Sequence, residues 1–140
     1  MRRLYFLLES LSFRAKVNLL RILMTTVESL LQSLRTAPES IQFSDVIAVI
    51  DANYDHRPTA FTNGTATNAS DQNQGSAKVL SFGRLKGLTE AETLACFAEH
   101  YRSVMASPEG TDHQNIRQFM VNGWSGVDLP EGCLKAKDQA

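Results

Sequence analysis

Apolar residues recur at three- and four-residue steps from Val17 onward. Leu20, Leu23, Met24, Val27, Leu30, Leu31 and Leu34 form one helical face. Pro38 ends that helix, because its ring blocks continuation and restrains the residue before it. A second helix carries Phe43, Ile47, Ile50 and Tyr54 on one stripe, widened by Val46 and Val49, with Ser40 or Ser44 as its cap. Val79, Leu80, Phe82 and Leu85 predict a short helix stopped by Gly87. Thr89-Glu90-Ala91-Glu92 is a capping box, and the helix it opens places Leu94, Phe97, Ala98, Tyr101, Val104 and Met105 on one face. Pro108-Glu109-Gly110 reads as a turn, and Thr111 with Gln114 as a second capping box beside Asp112. Ile116, Phe119 and Met120 then face inward, until Asn122-Gly123 stops the helix before a short extended piece at 126–129. The pattern predicts a mainly α fold, a compact helical domain of about five helices. At most one short two-stranded pairing is expected.

One stretch follows neither period. Between Arg57 and Lys78 the only charge is Asp71, amid Thr59, Thr62, Thr65, Thr67, Asn63, Asn68, Gln72, Asn73 and Gln74. Apart from a short strand at 60–62, the segment reads as one long polar loop. Loops beyond ~12–15 residues are uncommon in compact domains and usually functional or disordered.

Composition changes the picture little. The 140 residues, 43% hydrophobic and 21% charged, suit a single globular domain. A net charge of -1 argues against a nucleic-acid partner, and no apolar run approaches the ~20 residues of an integral membrane segment. Cys96 and Cys133 lack the spacing of a zinc motif or a disulfide framework. The charge is unevenly spread. Residues 1–23 carry Arg2, Arg3, Arg14, Lys16 and Arg21 against Glu9 alone, ahead of an acidic body. Leu4 to Leu8 is too short for a secretory signal core. An amphipathic helix lying on an anionic membrane is one reading, and an upstream extension ahead of Met24 is the one adopted. The expected organisation is thus a basic extension at 1–23, a helical domain at 24–130 and a polar tail at 131–140.

Several runs carry a family resemblance. They are Ile41-Gln42-Phe43-Ser44-Asp45-Val46-Ile47-Ala48-Val49-Ile50-Asp51, Tyr54-Asp55, Ala60-Phe61-Thr62-Asn63-Gly64 and Gln72-Asn73-Gln74-Gly75-Ser76-Ala77-Lys78. Thr93-Leu94-Ala95-Cys96-Phe97, Gly110-Thr111-Asp112-His113-Gln114-Asn115-Ile116-Arg117 and Asn122-Gly123-Trp124-Ser125-Gly126 complete the set. In this order they resemble the HopJ-type III effector (HopPmaJ-like) family over about residues 24–129. The resemblance implies a mostly helical domain of undefined biochemical activity, found well beyond pathogens. Its effector label implies delivery into a host cell. The sequence departs from the expected Ser-Cys-Lys at Ser76-Ala77-Lys78, so no chemistry can rest on a thiol there.

The chemistry-bearing residues allow several constellations. Asp55-His56 and Asp112-His113 flank the polar segment, and with Asp51 they offer the donors of a two-His, one-carboxylate metal site. No pair has the i, i+4 spacing of a metalloprotease helix, so the expectation is no metal and no cofactor. Cys96 and His100 lie one turn apart, but Glu92 and Glu99 would raise the thiol pKa, and a packing role is expected. The segment ending Asn73-Gln74-Gly75-Ser76 leads into a helix whose amides, with Lys78, favour an anion, although it is not a phosphate loop. Asn115 and Arg117 are placed to tie the polar segment to the last helix, and Trp124 reads as a core plug. Two functions remain open. One is a cytoplasmic, non-enzymatic, effector-like interaction protein whose loop face binds a protein partner. The other is a small-molecule- or metal-binding enzyme with its site beneath residues 55–77, where Asp51, His56, Asn63, Lys78 and His113 would converge on a small or anionic ligand.

Overall fold

Helix α3, Gln74–Leu85, has six buried residues, more than any other described helix. The computed structural model describes residues 10–16 and 26–137. Within them α1 spans Val27–Thr36, α2 Phe43–Asn53, α4 Glu90–Ala95, α5 Glu99–Ala106 and α6 Gln114–Asn122. Short strands lie between and after the helices: β1 Tyr54–His56, β2 Phe61–Asn63, β3 Ala66–Asn68, β4 Val127–Asp128 and β5 Leu134–Ala136. α3 buries Ala77, Val79, Leu80 and Phe82, and packs against α2, α4 and β5. Leu30 and Leu34 of α1, Val46, Val49 and Ile50 of α2, and Ile116 and Phe119 of α6 close the core from the other sides. The helical phase read from the sequence holds for these residues. Leu20, Leu23 and Met24, expected on the first helix, lie outside the described residues.

Several helix ends form as their residues dictate. Thr89 and Glu92 make the reciprocal capping box. Gly123, with φ of 60°, ends α6, and Gly87 follows α3. Other ends are built by tertiary contacts. Neither Ser40 nor Ser44 caps α2; its Phe43 N–H donates instead to Glu99 Oε1 at 2.7 Å. The Thr111–Gln114 box does not form, and His113 is the N-cap of α6 in the left-handed region, φ 50°. Asn73 caps α3 with the same φ of 50°. The single helix expected from Thr89 to Met105 is two, because the chain reverses φ at Ala98 (φ 54°, ψ −125°). That conformation costs an alanine free energy, which the surrounding packing must offset.

The polar segment is largely ordered structure. β2 and β3 form an antiparallel hairpin around Gly64, whose φ of +56° suits a tight turn, and β4 pairs with β2 on the other side. β1 pairs with β5 in a separate two-stranded sheet. The expectation of at most one two-stranded pairing therefore fails. Strands of two or three residues are too short for alternation to register in a sequence. The tail expected from residue 131 likewise includes β5, with Cys133 and Leu134 buried.

A buried asparagine network joins the hairpin to two helices. Asn63, Asn68 and Asn115 are all buried. Asn63 Nδ2 donates to the Asn115 carbonyl at 2.8 Å. Asn115 Nδ2 donates to Asn68 Oδ1 at 2.9 Å, and Asn68 Nδ2 returns to Asn115 Oδ1 at 3.2 Å. Asn73 Nδ2 donates to Asn68 Oδ1 at 2.7 Å, which ties in the N-cap of α3. Apart from Asn63 Oδ1, which is buried without a partner among the described residues, these amides bond one another, so the network fixes the starts of α3 and α6 against β3.

His56 is the polar residue of β1 that turns inward. Its Nε2 is buried with no hydrogen-bond partner among the described residues. Burial, and secondarily the nearby Lys78 ammonium, lowers its pKa below the ordinary histidine value.

Three outcomes follow from this packing. Asn68→Ala is expected to cost about 2–3 kcal/mol, since it orphans buried amide groups of Asn115, while Thr62→Ala on the exposed hairpin face stays within about 0.5 kcal/mol. Denaturant midpoints measure both, and equal costs would contradict the network's role. Ala98→Gly should keep or raise the melting temperature, although Ala→Gly within an element ordinarily costs about 0.5–1 kcal/mol. A clear fall in melting temperature would show that Ala98 is unstrained. The lowered His56 pKa means that the unfolded chain binds more protons just below pH ~6.5, so stability falls as pH drops through that value. Denaturation at pH 7.5 and 5.5 should show a larger loss for the native chain than for His56→Gln, and parallel losses would rule His56 out.

Candidate functional site

The first turns of α3 and α6 open into one cleft of about 530 Å³. Asn73, Gly75 and Ser76 contribute from α3, and His113, Gln114, Asn115 and Ile116 from α6. β3 supplies Ala66, Thr67 and Asn68, and the remaining wall is Phe43, Phe97 and His100. Each helix leaves its first amides without intrahelical acceptors. Neither has a side-chain cap or an acidic residue in its first turn. Ala77 is the first residue of α3 to bond back into the helix, through the Asn73 carbonyl, and Ile116 the first of α6, through His113. None of the residues lining the cleft is acidic.

The wall is aromatic. The His100 ring meets Phe43 edge-on at 4.8 Å and His113 at 5.0 Å with a 37° tilt. Phe43 in turn stacks on Phe97 at 6.4 Å. One local arrangement builds this wall: Glu99 accepts the Phe43 N–H, and the next residue, His100, lies against the Phe43 ring. Gly75 faces Phe43 so closely that a Cβ there would sit 3.3 Å from Phe43 Cζ. Outside the cleft, His113 Nε2 is 3.9 Å from Asp112 Oδ2. Arg117 holds the other Asp112 oxygen at 2.7 Å and keeps that carboxyl well below its usual pKa.

The five residues expected to converge are distributed. Lys78 is ion-paired with Asp51 at 2.8 Å, and His56 feels both charges. Asn63, the last residue of β2, is buried and bonded to Asn115. His113 is the member of the set that lines the cleft, and its ring neighbour is His100 rather than His56. Among the described residues no three His, Cys, Asp or Glu side chains form a metal-binding group. Cys96 is fully buried, and burial together with Glu92 pushes its thiol up to about 12, far from a nucleophile. Asn115 ties α6 to the hairpin as its position suggested, whereas Arg117 bonds the Asp112 and Pro108 carbonyls of the preceding turn. Trp124 is half-buried, edge-on to Phe119 at 5.0 Å.

Sequence reasoning did not assign Phe43, His100, Asn68 or Asn115 to a site. The readable signal was partial: the segment ending Asn73-Gln74-Gly75-Ser76 leads into a helix whose first turn is free of acidic residues, whereas the start at His113 was hidden by the Thr111–Gln114 pattern and Asp112.

Comparison with curated proteins returns no match. Among solved structures the chain is similar to the crystal structure of VPA0580, a protein of unknown function. The two share 46% identity, with a TM-score of 0.76 over 79% of this chain and 93% of that one. The family described as HopJ type III effector protein matches residues 27–134, the whole span from α1 into β5. By that match the chain belongs to the HopJ type III effector family.

Proposed function

We propose that this HopJ family member is a binding protein for a small acidic ligand, held in the cleft between the first turns of α3 and α6. The observation that carries this reading is the cleft's make-up. First-turn residues of two uncapped helices and two histidines line one cavity, with no acidic residue among the lining. Helix N-termini favour negative charge, and a concave site with a few convergent polar groups is the usual form of a ligand pocket. Its volume lies within the ~300–1,000 Å³ range of small-molecule sites.

The competing reading, a protein partner docked on the loop face of residues 55–77, wants exposed apolar anchors. Among the described residues the exposed large hydrophobics are Leu11, Phe13, Leu85, Met105, Met120 and Val121, all outside that segment. Family membership supports an effector-like protein, and delivery to a host cell belongs to this proposal as its setting. No helix among the described residues is long and apolar enough to cross a membrane.

Ser76→Asp separates binding from folding. A carboxylate in the first turn of α3 should stabilise the helix by about 0.3–1 kcal/mol and occupy the place of the ligand's acid. Titration with inorganic phosphate, followed by amide chemical shifts, should show at least tenfold weaker binding with the melting temperature kept or raised. Unchanged phosphate affinity in this variant would overturn the proposal.

A further inference from the structure

We infer that the ligand is an aromatic acid, with its ring on the His100–Phe43 wall and its acidic group at the first turns of α3 and α6. This rests on the cleft reading above and adds the chemistry of the ligand's other end. Two features of the wall call for a ring. The His113, His100, Phe43 and Phe97 rings form an unbroken series with neighbouring centroids 5.0, 4.8 and 6.4 Å apart. This wall lines the cavity itself, and the His113 side chain at its outer end is 34% exposed. A flat ligand ring would extend the series by offset or edge-on contact, the arrangement aromatic rings prefer.

The distance between the two ends is also set. Gly75 lies in the first turn of α3 and is itself in near contact with the Phe43 ring. Aromatic wall and unbonded amides therefore meet within the span of one small molecule. A bare phosphate or acetate would engage the amides and leave the ring wall in water. The cavity of about 530 Å³ holds considerably more than such an ion. An acid on a short aromatic or heteroaromatic ring engages both surfaces. The acidic group itself, phosphate or carboxylate, is shared chemistry that probe pairs distinguish.

The test uses the full chain and two matched pairs, phenyl phosphate against methyl phosphate and benzoate against acetate, titrated at constant ionic strength. The aromatic member of at least one pair is expected to bind about tenfold more tightly, with shifts confined to cleft residues. His100→Ala should erase that preference, bringing the two members of the pair to equal affinity whatever its effect on methyl phosphate or acetate binding, and His100→Phe should restore the ratio. Circular dichroism and melting temperature confirm that both variants fold. Equal binding of both members of each pair overturns the aromatic inference and leaves the acid-binding cleft standing. Binding of none of the four probes overturns both, as does binding whose shifts map away from the cleft.

Discussion

The hydrogen bonds among Asn63, Asn68, Asn73 and Asn115 are the constraint on which the rest of the site depends. Three of these side chains are buried, where an unpaired amide costs about 1–3 kcal/mol, so their mutual pairing specifies one geometry for the elements that carry them. Those elements are the hairpin, the N-cap of α3 and the first turn of α6. The hydrophobic core holds the helices together but does not by itself say where their ends point. The amide network does, and it points two of them at one cavity.

The left-handed residues follow from that arrangement. Asn73 and His113 both adopt φ of 50° as N-caps, although an N-cap normally sits in extended conformation and bonds the helix amides with its own side chain. Here Asn73 spends its amide on Asn68 instead, and His113 turns its ring to His100. The amides of the first turns are left for something else. Ala98, also at positive φ, sits between Phe97 and the Glu99–His100 pair that builds the aromatic wall. Residues held in sparsely populated backbone regions cluster at functional sites in proteins generally, and all three here border this cleft or its wall.

The core was readable where one interaction range decided it. Leu30 and Leu34, and Val46 and Ile50, lie in phase on helices, and the Thr89–Glu92 box is complete within four residues. What was hidden depends on distant partners. The break at Ala98 interrupts a run whose apolar spacing stays helical through Leu94, Phe97 and Tyr101, with no glycine or proline to mark it. The hairpin at 61–68 was masked by its brevity and by threonines and asparagines that read as loop. Of the five residues expected to converge, Lys78 pairs with Asp51 and both charges act on His56, while His113 has His100 as its ring neighbour, a grouping set by the fold and not by position along the chain. His100 was weighed only as a partner for Cys96, because its neighbours Phe43 and His113 are joined to it solely by the fold.

The central claim is that the first-turn amides of α3 and α6 are held unbonded, facing one cleft, by the asparagine network. Amide chemical shifts of the native chain and of Asn68→Ser, recorded with and without inorganic phosphate, test it most directly. In the native chain phosphate should move the amide signals of Gly75, Ser76, Gln114 and Asn115 together, with one shared affinity. In Asn68→Ser the two helix starts should respond weakly and with separate affinities. Signals of α3 and α6 that never move together in the native chain would contradict the account.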